Sequence, residues 1–141
     1  MTKITKRKLS TVLFADIVGY TAMMANDEAH ALRSLENFKS ELELQVPQFN
    51  GSINNFYGDG CLTTFQNSQD ALVCAKQLQE NFKNKHDIKV RIGLDRGQVV
   101  YKEGNAFGDP VNLASRIEAI SVNGGVLLSK RVKEDLSLIH I

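Results

Sequence analysis

Apolar residues crowd residues 9–17, where Val12, Leu13, Phe14 and Ile17 leave little polar relief. That pattern predicts a central strand buried on both faces. The period then lengthens. Ala29, Leu32, Leu35, Phe38 (or Lys39) and Leu42 recur at three-to-four spacing, one face of a helix opened by Asn26-Asp27-Glu28 and ended by Pro47. Gly51 opens a strand over residues 52–57, and Gly58-Asp59-Gly60 turns it into another over residues 61–65, since glycines tolerate the positive φ of a tight hairpin. Ser68 is expected to cap a second helix carrying Ala71, Leu72, Ala75, Leu78 and Phe82 on one face. Residues 88–94 predict a strand, Gly97 a break and residues 98–101 a further strand. Asp109-Pro110 starts a helix with Leu113, Ile117 and Ile120 as its buried stripe, and Gly124-Gly125 ends that segment. A short strand over residues 126–129 and a short helix over residues 130–136 follow.

The order is β-α-β-β-α-β with added C-terminal elements. It predicts an α+β fold, a ferredoxin-like sandwich with an antiparallel sheet and helices on one face. A chain of 141 residues is one domain by default and buries a real core. Its net charge of +1 gives no reason to expect a nucleic-acid partner. Lys3, Lys6, Arg7 and Lys8 form a small basic cluster in residues 1–10, read as a solvated arm before the first strand; membrane or nucleic-acid contact is the alternative. Cys61 and Cys74 match no zinc spacing and sit among apolar neighbours, which suits core thiols in a reducing compartment. No apolar run approaches the roughly 20 residues that span a bilayer, and the start lacks a signal peptide's apolar stretch, so the expected location is the cytoplasm.

Two aspartates end apolar runs. Asp16 closes the first strand and Asp59 sits in the hairpin turn. In a split βαβ sheet the first and third strands lie side by side, which brings the two carboxylates to one end. Neighbouring carboxylates repel, and a bound Mg²⁺ or Mn²⁺ relieves that repulsion. The plainer reading makes each a turn or cap residue. Asn112 and Arg116 are four apart on a predicted helix and share a face. An amide can orient a sugar or phosphate oxygen, and a guanidinium offsets charge developing on a phosphate. The plainer reading is an exposed Arg beside an ordinary Asn. His30, His86 and His140 have no evident partners and read as solvated. Tyr20 and Tyr57 flank the proposed site and read as packing residues. Tyr57 beside Phe56 suggests an RNA-stacking sheet only faintly, without the basic face that would need.

Taken together, Phe14-Ala15-Asp16-Ile17-Val18-Gly19-Tyr20-Thr21, Tyr57-Gly58-Asp59-Gly60, Arg91-Ile92-Gly93-Leu94 and Gly108-Asp109-Pro110-Val111-Asn112-Leu113-Ala114-Ser115-Arg116 resemble the catalytic domain of class III nucleotidyl cyclases, the adenylate and guanylate cyclases. The resemblance covers residues 11–136. It implies that Asp16 and Asp59 bind two divalent ions, Mg²⁺ or Mn²⁺, with the Ile17 backbone carbonyl as a further ligand. It implies that Asn112 orients the ribose and Arg116 stabilises the transition state. The implied reaction converts a nucleoside triphosphate to a 3′,5′-cyclic nucleotide and pyrophosphate, for intracellular signalling. The implied assembly is a homodimer with composite active sites, one chain supplying the aspartates and the other the Asn-Arg pair.

Asn55 and Asn105 stand where the family reads the base. Adenylate cyclases usually carry Lys and Asp (or Thr) there, and guanylate cyclases Glu and Cys. An amide donates or accepts, so the pair does not select adenine by charge; the reading leans to ATP over GTP. The family's triphosphate-binding lysine lies beyond the last matched helix, and Lys130 and Lys133 come too early for it. Residues 137–141 do not look like the family's continuation and suggest a coding region interrupted at its C-terminus. A non-catalytic nucleotide-binding or dimerisation module is the second reading, and a ferredoxin-like interaction domain with accidental motifs the third.

Overall fold

A computed structural model describes residues 5–139. The elements run β1 (Thr5–Ile17), α1 (Tyr20–Asn26), α2 (Glu28–Gln48), β2 (Gly51–Tyr57), β3 (Gly60–Phe65), α3 (Ser68–Asn81), a π-helical turn (Phe82–His86), β4 (Val90–Lys102), β5 (Asn105–Phe107), α4 (Asp109–Ala119), β6 (Val126–Leu128) and α5 (Lys130–Ile139). Among the described residues six strands form one sheet, ordered β2-β3-β1-β4-β5, with β6 pairing β4. All pairs are antiparallel except β4–β6. The fold is the ferredoxin-like α+β sandwich, with β1 central as its apolar run predicts.

Successive strand residues face opposite sides of a sheet, and β1 packs two cores accordingly. Leu13, Ala15 and Ile17 join Phe38, Leu42 and Val46 of α2, Ala71, Ala75 and Leu78 of α3 and Val132 of α5. Val12 joins Leu62, Val99, Ala106 and Ala114 of α4. Helices therefore cover both faces, and the expectation of helices on one face is corrected: α4 lies alone across the second. Cys61 and Cys74 are free and buried, and burial pushes both thiols up to about 12.

Several local expectations change. Residues 5–10 are the first part of β1 rather than a free arm: Lys6, Arg7 and Lys8 pair with Tyr101, Val100 and Val99. Lys3 lies outside the described residues, as do His140 and the end of the tail; Ser137 and Leu138 belong to α5. Asn67, not Ser68, caps α3, its side chain accepting from the Asp70 amide; Ser68 is buried and shares a hydrogen bond with Thr11. Gly97 does not break the sheet. β4 runs through it, and a Cβ there would lie 2.7 Å from Pro110 Cγ, so this glycine serves the close approach of α4. Pro47 sits inside the last turn of α2, which closes beyond it at Asn50 with φ of 62°. β6 stops at Leu128 and pairs in parallel.

α2 turns a partly polar face inward. Leu32 is 49% exposed, while Ser34, Glu41 and Gln45 are buried. Hydrogen bonding makes that possible: Glu41 accepts from Gln45, Asn81 and, through Oε1, His86 Nε2 at 3.1 Å. His86 is thus partnered rather than solvated, while His30 is exposed. Burial raises the Glu41 carboxyl, but the bonds from Asn81, His86 and Gln45 outweigh it and hold Glu41 below its ordinary 4.5. A depressed carboxyl stabilises the fold above its unfolded value, and that contribution is lost as pH falls through the folded one. The melting-temperature gap between wild type and Glu41→Gln is therefore expected to narrow as the pH of calorimetric melts drops below 4.5.

Candidate active site

Asp16 is the penultimate residue of β1, paired with Gly60 of β3 on one side and Arg91 of β4 on the other. Asp59 sits in the turn beside Gly58, whose φ of 60° suits a residue without a Cβ. The Ile17 amide donates to the Asp59 carbonyl at 3.0 Å, which pins the hairpin turn to the end of β1. The structure thus brings Asp16, Ile17 and Asp59 to one end of the sheet. The Val18 amide donates to the Lys89 carbonyl, and Gly19, with φ of 70°, turns the chain into α1. Tyr20 packs on the core, and Tyr57 stacks on Phe14 with ring centroids 6.1 Å apart.

Two charged residues complete this end, and sequence reasoning assigned neither a role. Arg91 Nε lies 3.5 Å from Asp16 Oδ1 and 3.5 Å from Glu118 Oε2. Its Nη1 donates to the Ala119 carbonyl at the end of α4. Glu118 is 3% exposed. Burial, then the neighbouring Asp16 carboxylate, push its carboxyl up to about 8, against the lowering pull of Arg91. Asp16 Oδ1, Arg91 Nε and Glu118 Oε2 are buried, with no hydrogen-bond partner among the described residues.

These donors fit a hard divalent cation. Asp16 offers a buried oxygen without a partner, and Asp59 stands beside it at the end of β1. Among the described residues no three His, Cys, Asp or Glu side chains converge as a ready-made cage. A Mg²⁺ ion held by these two carboxylates would keep further coordination positions for water or other oxygens.

Asn112 and Arg116 lie one turn apart on the exposed face of α4. They line a cavity of about 320 Å³ with Asp109, Leu113 and Arg131. Arg131 is braced by Asp95, a fully buried carboxylate, with Nε to Oδ1 at 3.2 Å and Nη2 to Oδ2 at 2.5 Å. Asn112 also borders a cavity with Phe14, Tyr57, Val111 and Ser115. Asp16 and Asp59 line neither cavity. Within one chain, then, the carboxylates and the Asn-Arg pair form two separate groups.

The expected buried stripe of α4 is corrected. Leu113 and Ile120 face out, Ile120 at 77% exposure, while Pro110, Ala114 and Glu118 face in. The helix lies so close to β4 that only small side chains and one long flexible one fit beneath it. A Cβ at Gly93 would stand 2.4 Å from the Glu118 amide and 2.8 Å from the Ala114 carbonyl. The spacing Pro110, Ala114, Glu118 opposite the glycine of Arg91-Ile92-Gly93-Leu94 was the available signal for Glu118.

Asn55 is half-buried on β2, opposite Leu62 and just past a bulge that begins at Ile53. Asn105 is exposed at the start of β5, opposite Lys102. The two strands are the ends of the β2-to-β5 order, yet the sheet curls enough to bring them within 8 Å between Cα atoms.

Comparison with known proteins places this arrangement. The adenylate and guanylate cyclase catalytic domain family matches residues 3–140. A putative adenylate cyclase of Rhizobium meliloti is 34% identical over 138 residues, which cover 92% of this chain and 23% of that protein. The chain thus spans less than a quarter of that relative's length. A crystal structure of an adenylate/guanylate cyclase/hydrolase from Silicibacter pomeroyi superposes with a TM-score of 0.87 at 32% identity, covering 98% of this chain and 84% of that one. A non-canonical dimeric guanylyl cyclase domain from the aquatic fungus Blastocladiella emersonii shares the fold, with a TM-score of 0.83 at 22% identity over 97% of this chain and 88% of that one. With the family matched over nearly its whole length, the chain belongs to the adenylate and guanylate cyclase catalytic domains.

Proposed function

We propose that this domain is a nucleotidyl cyclase that works as a homodimer and makes a 3′,5′-cyclic nucleotide for signalling, from ATP in preference to GTP. One observation carries the reading: the β1–β3 register and the Ile17–Asp59 hydrogen bond fix two aspartates at one end of the sheet, while α4 presents Asn112 and Arg116 outward. Half-sites that lie apart within one chain need a second chain to complete them. Phe107, Leu113, Ile120 and Val122 flank the Asn-Arg face as exposed apolar side chains, which suits that contact. No helix among the described residues is long and apolar enough to cross a membrane; a cytoplasmic setting, where nucleoside triphosphates are available, fits the reading.

Asp16, Asp59 and the Ile17 carbonyl would hold two divalent ions, Mg²⁺ or Mn²⁺. Such ions supply a lowered pKa for a bound hydroxyl and offset phosphate charge. Asn112 of the second chain hydrogen-bonds the ribose and aims its 3′-oxygen at the α-phosphorus. The 3′-oxygen–phosphorus bond forms as the bond to the bridging α–β oxygen breaks, pyrophosphate leaves, and the 3′-hydroxyl proton is released. Arg116 offsets the charge that builds on the phosphate oxygens. Asn55 and Asn105 meet the base with amides that can donate or accept.

The test is incubation of the purified chain with Mn²⁺ and ATP or GTP over a range of protein concentrations, with products quantified by mass spectrometry. Cyclic nucleotide rising more steeply than linearly with protein is the expected result, with more product from ATP. A folded chain that yields none from either nucleotide would overturn the reading in favour of a non-catalytic module.

A further inference from the structure

We infer that Glu118 is a positioning residue: it holds Arg91 midway between two carboxyl groups and so keeps Asp16 available to a divalent cation. The inference rests on the cyclase reading only for the cation that Asp16 is to hold.

A carboxyl group 3% exposed is out of place on the inner face of a helix unless it has work there. This one belongs to α4, at the point where the helix backbone presses on Gly93 of β4. Arg91 stands two residues before Gly93 in β4, directly across the β1–β4 ladder from Asp16. With a single carboxylate neighbour, a guanidinium closes to an ordinary charge-assisted bond of about 2.7–2.9 Å, commonly bidentate. Asp95 and Arg131 make that kind of pair a few residues further along β4, at 2.5 and 3.2 Å. Arg91 does not. Its Nε sits 3.5 Å from Asp16 Oδ1 and 3.5 Å from Glu118 Oε2, bonded to neither, while Nη1 is tethered to the Ala119 carbonyl. Arg91 is therefore shared, and the Asp16 oxygen beside it keeps its lone pairs unspent.

Without the Glu118 oxygen, nothing on the α4 side competes for the Arg91 Nε. The guanidinium is then free to close on Asp16, and an arginine bonded to that oxygen excludes a cation from it. Holding Arg91 back needs an acceptor lone pair at Oε2 rather than a negative charge. The amide oxygen of Gln offers the same lone pair.

Mn²⁺ binding to the full chain without nucleotide, followed by electron paramagnetic resonance, tests this apart from turnover. Asp16→Asn identifies which binding belongs to this site. Glu118→Ala is expected to weaken Asp16-dependent Mn²⁺ binding by about tenfold, the lower end of what loss of a supporting residue costs a metal site. Glu118→Gln is expected to bind within about twofold of wild type, since it keeps the acceptor. The double variant Arg91→Met with Glu118→Ala is expected to recover most of the lost affinity, because the competitor is gone. A merely structural role for Glu118 predicts no recovery on removing a second charged side chain. Unchanged Mn²⁺ affinity in Glu118→Ala, or a double variant no better than the single one, would overturn the inference and leave the cyclase reading standing. A wild-type chain with no Asp16-dependent Mn²⁺ binding would overturn the metal reading itself, and this inference with it.

Discussion

Chains carrying Asp16→Asn and chains carrying Arg116→Ala, each nearly inactive alone, are expected to make cyclic nucleotide when mixed. Arg116 is exposed on α4 and has no ion pair among the described residues, so its loss should spare the fold while removing charge stabilisation at the phosphate, about a hundredfold to a thousandfold in rate. Asp16→Asn keeps the shape of the side chain and replaces an anionic ligand by a neutral amide, and a loss at least as large is expected. In a composite dimer the two defects separate. A mixed pair holds one site with both defects and one with neither. Random pairing of equal amounts makes half the dimers mixed, so about a quarter of wild-type activity should return. The measurement is cyclic nucleotide formed per total protein against mixing ratio. Activity that stays at the level of the separate variants would mean that each chain builds its site alone or builds none.

Gly93→Ala is expected to destabilise the domain by about 3 kcal/mol, the upper end of ordinary overpacking. At this chain length that amounts to roughly 6–12 °C in melting temperature. The added methyl would meet the Glu118 amide at 2.4 Å and the Ala114 carbonyl at 2.8 Å. Both are backbone atoms of a helix, so no rotamer change relieves the clash; α4 must lift from the sheet as a body. That lift carries Asn112 and Arg116 with it, so turnover should fall further than the folded fraction alone explains. Calorimetry and activity on the same preparation check both halves. A methyl group tolerated within 1 °C would show that α4 sits less tightly on β4 than its closest contacts imply.

Much of this was legible in the sequence, for reasons that differ from residue to residue. Asp16 and Asp59 were readable because an aspartate ending an apolar run and one between two glycines are both local signals, and the strand pairing that unites them follows from topology. The burial of α4 was not. Leu113 and Ile120 looked like a core stripe by hydrophobicity, but the space beneath the helix is set by Gly93 and Gly97 on another element, and it admits Ala114 and Pro110 instead. α2 misled in the same way: Glu41 is buried because Asn81 and His86, some 40 residues on, satisfy it. Gly97 looked like a stop because a glycine that makes room for a neighbour and one that ends a strand are written alike. Glu118 went unseen because its partners come from two strands that only the folded sheet brings under α4.

The bulge in β2 bears on how copies of this domain can meet. β2 is an outer strand of the sheet, and such a border ordinarily invites another chain to add a strand of its own. The ladder to β3 slips between Ile53 and Asn55, and the intervening Asn54 turns its side chain back to accept from Thr64 at 2.9 Å. An extra residue bends a strand and spoils the even spacing that a newcomer would have to match. Runaway stacking of sheets is thereby discouraged, and association is left to side-chain surfaces that can separate and re-form.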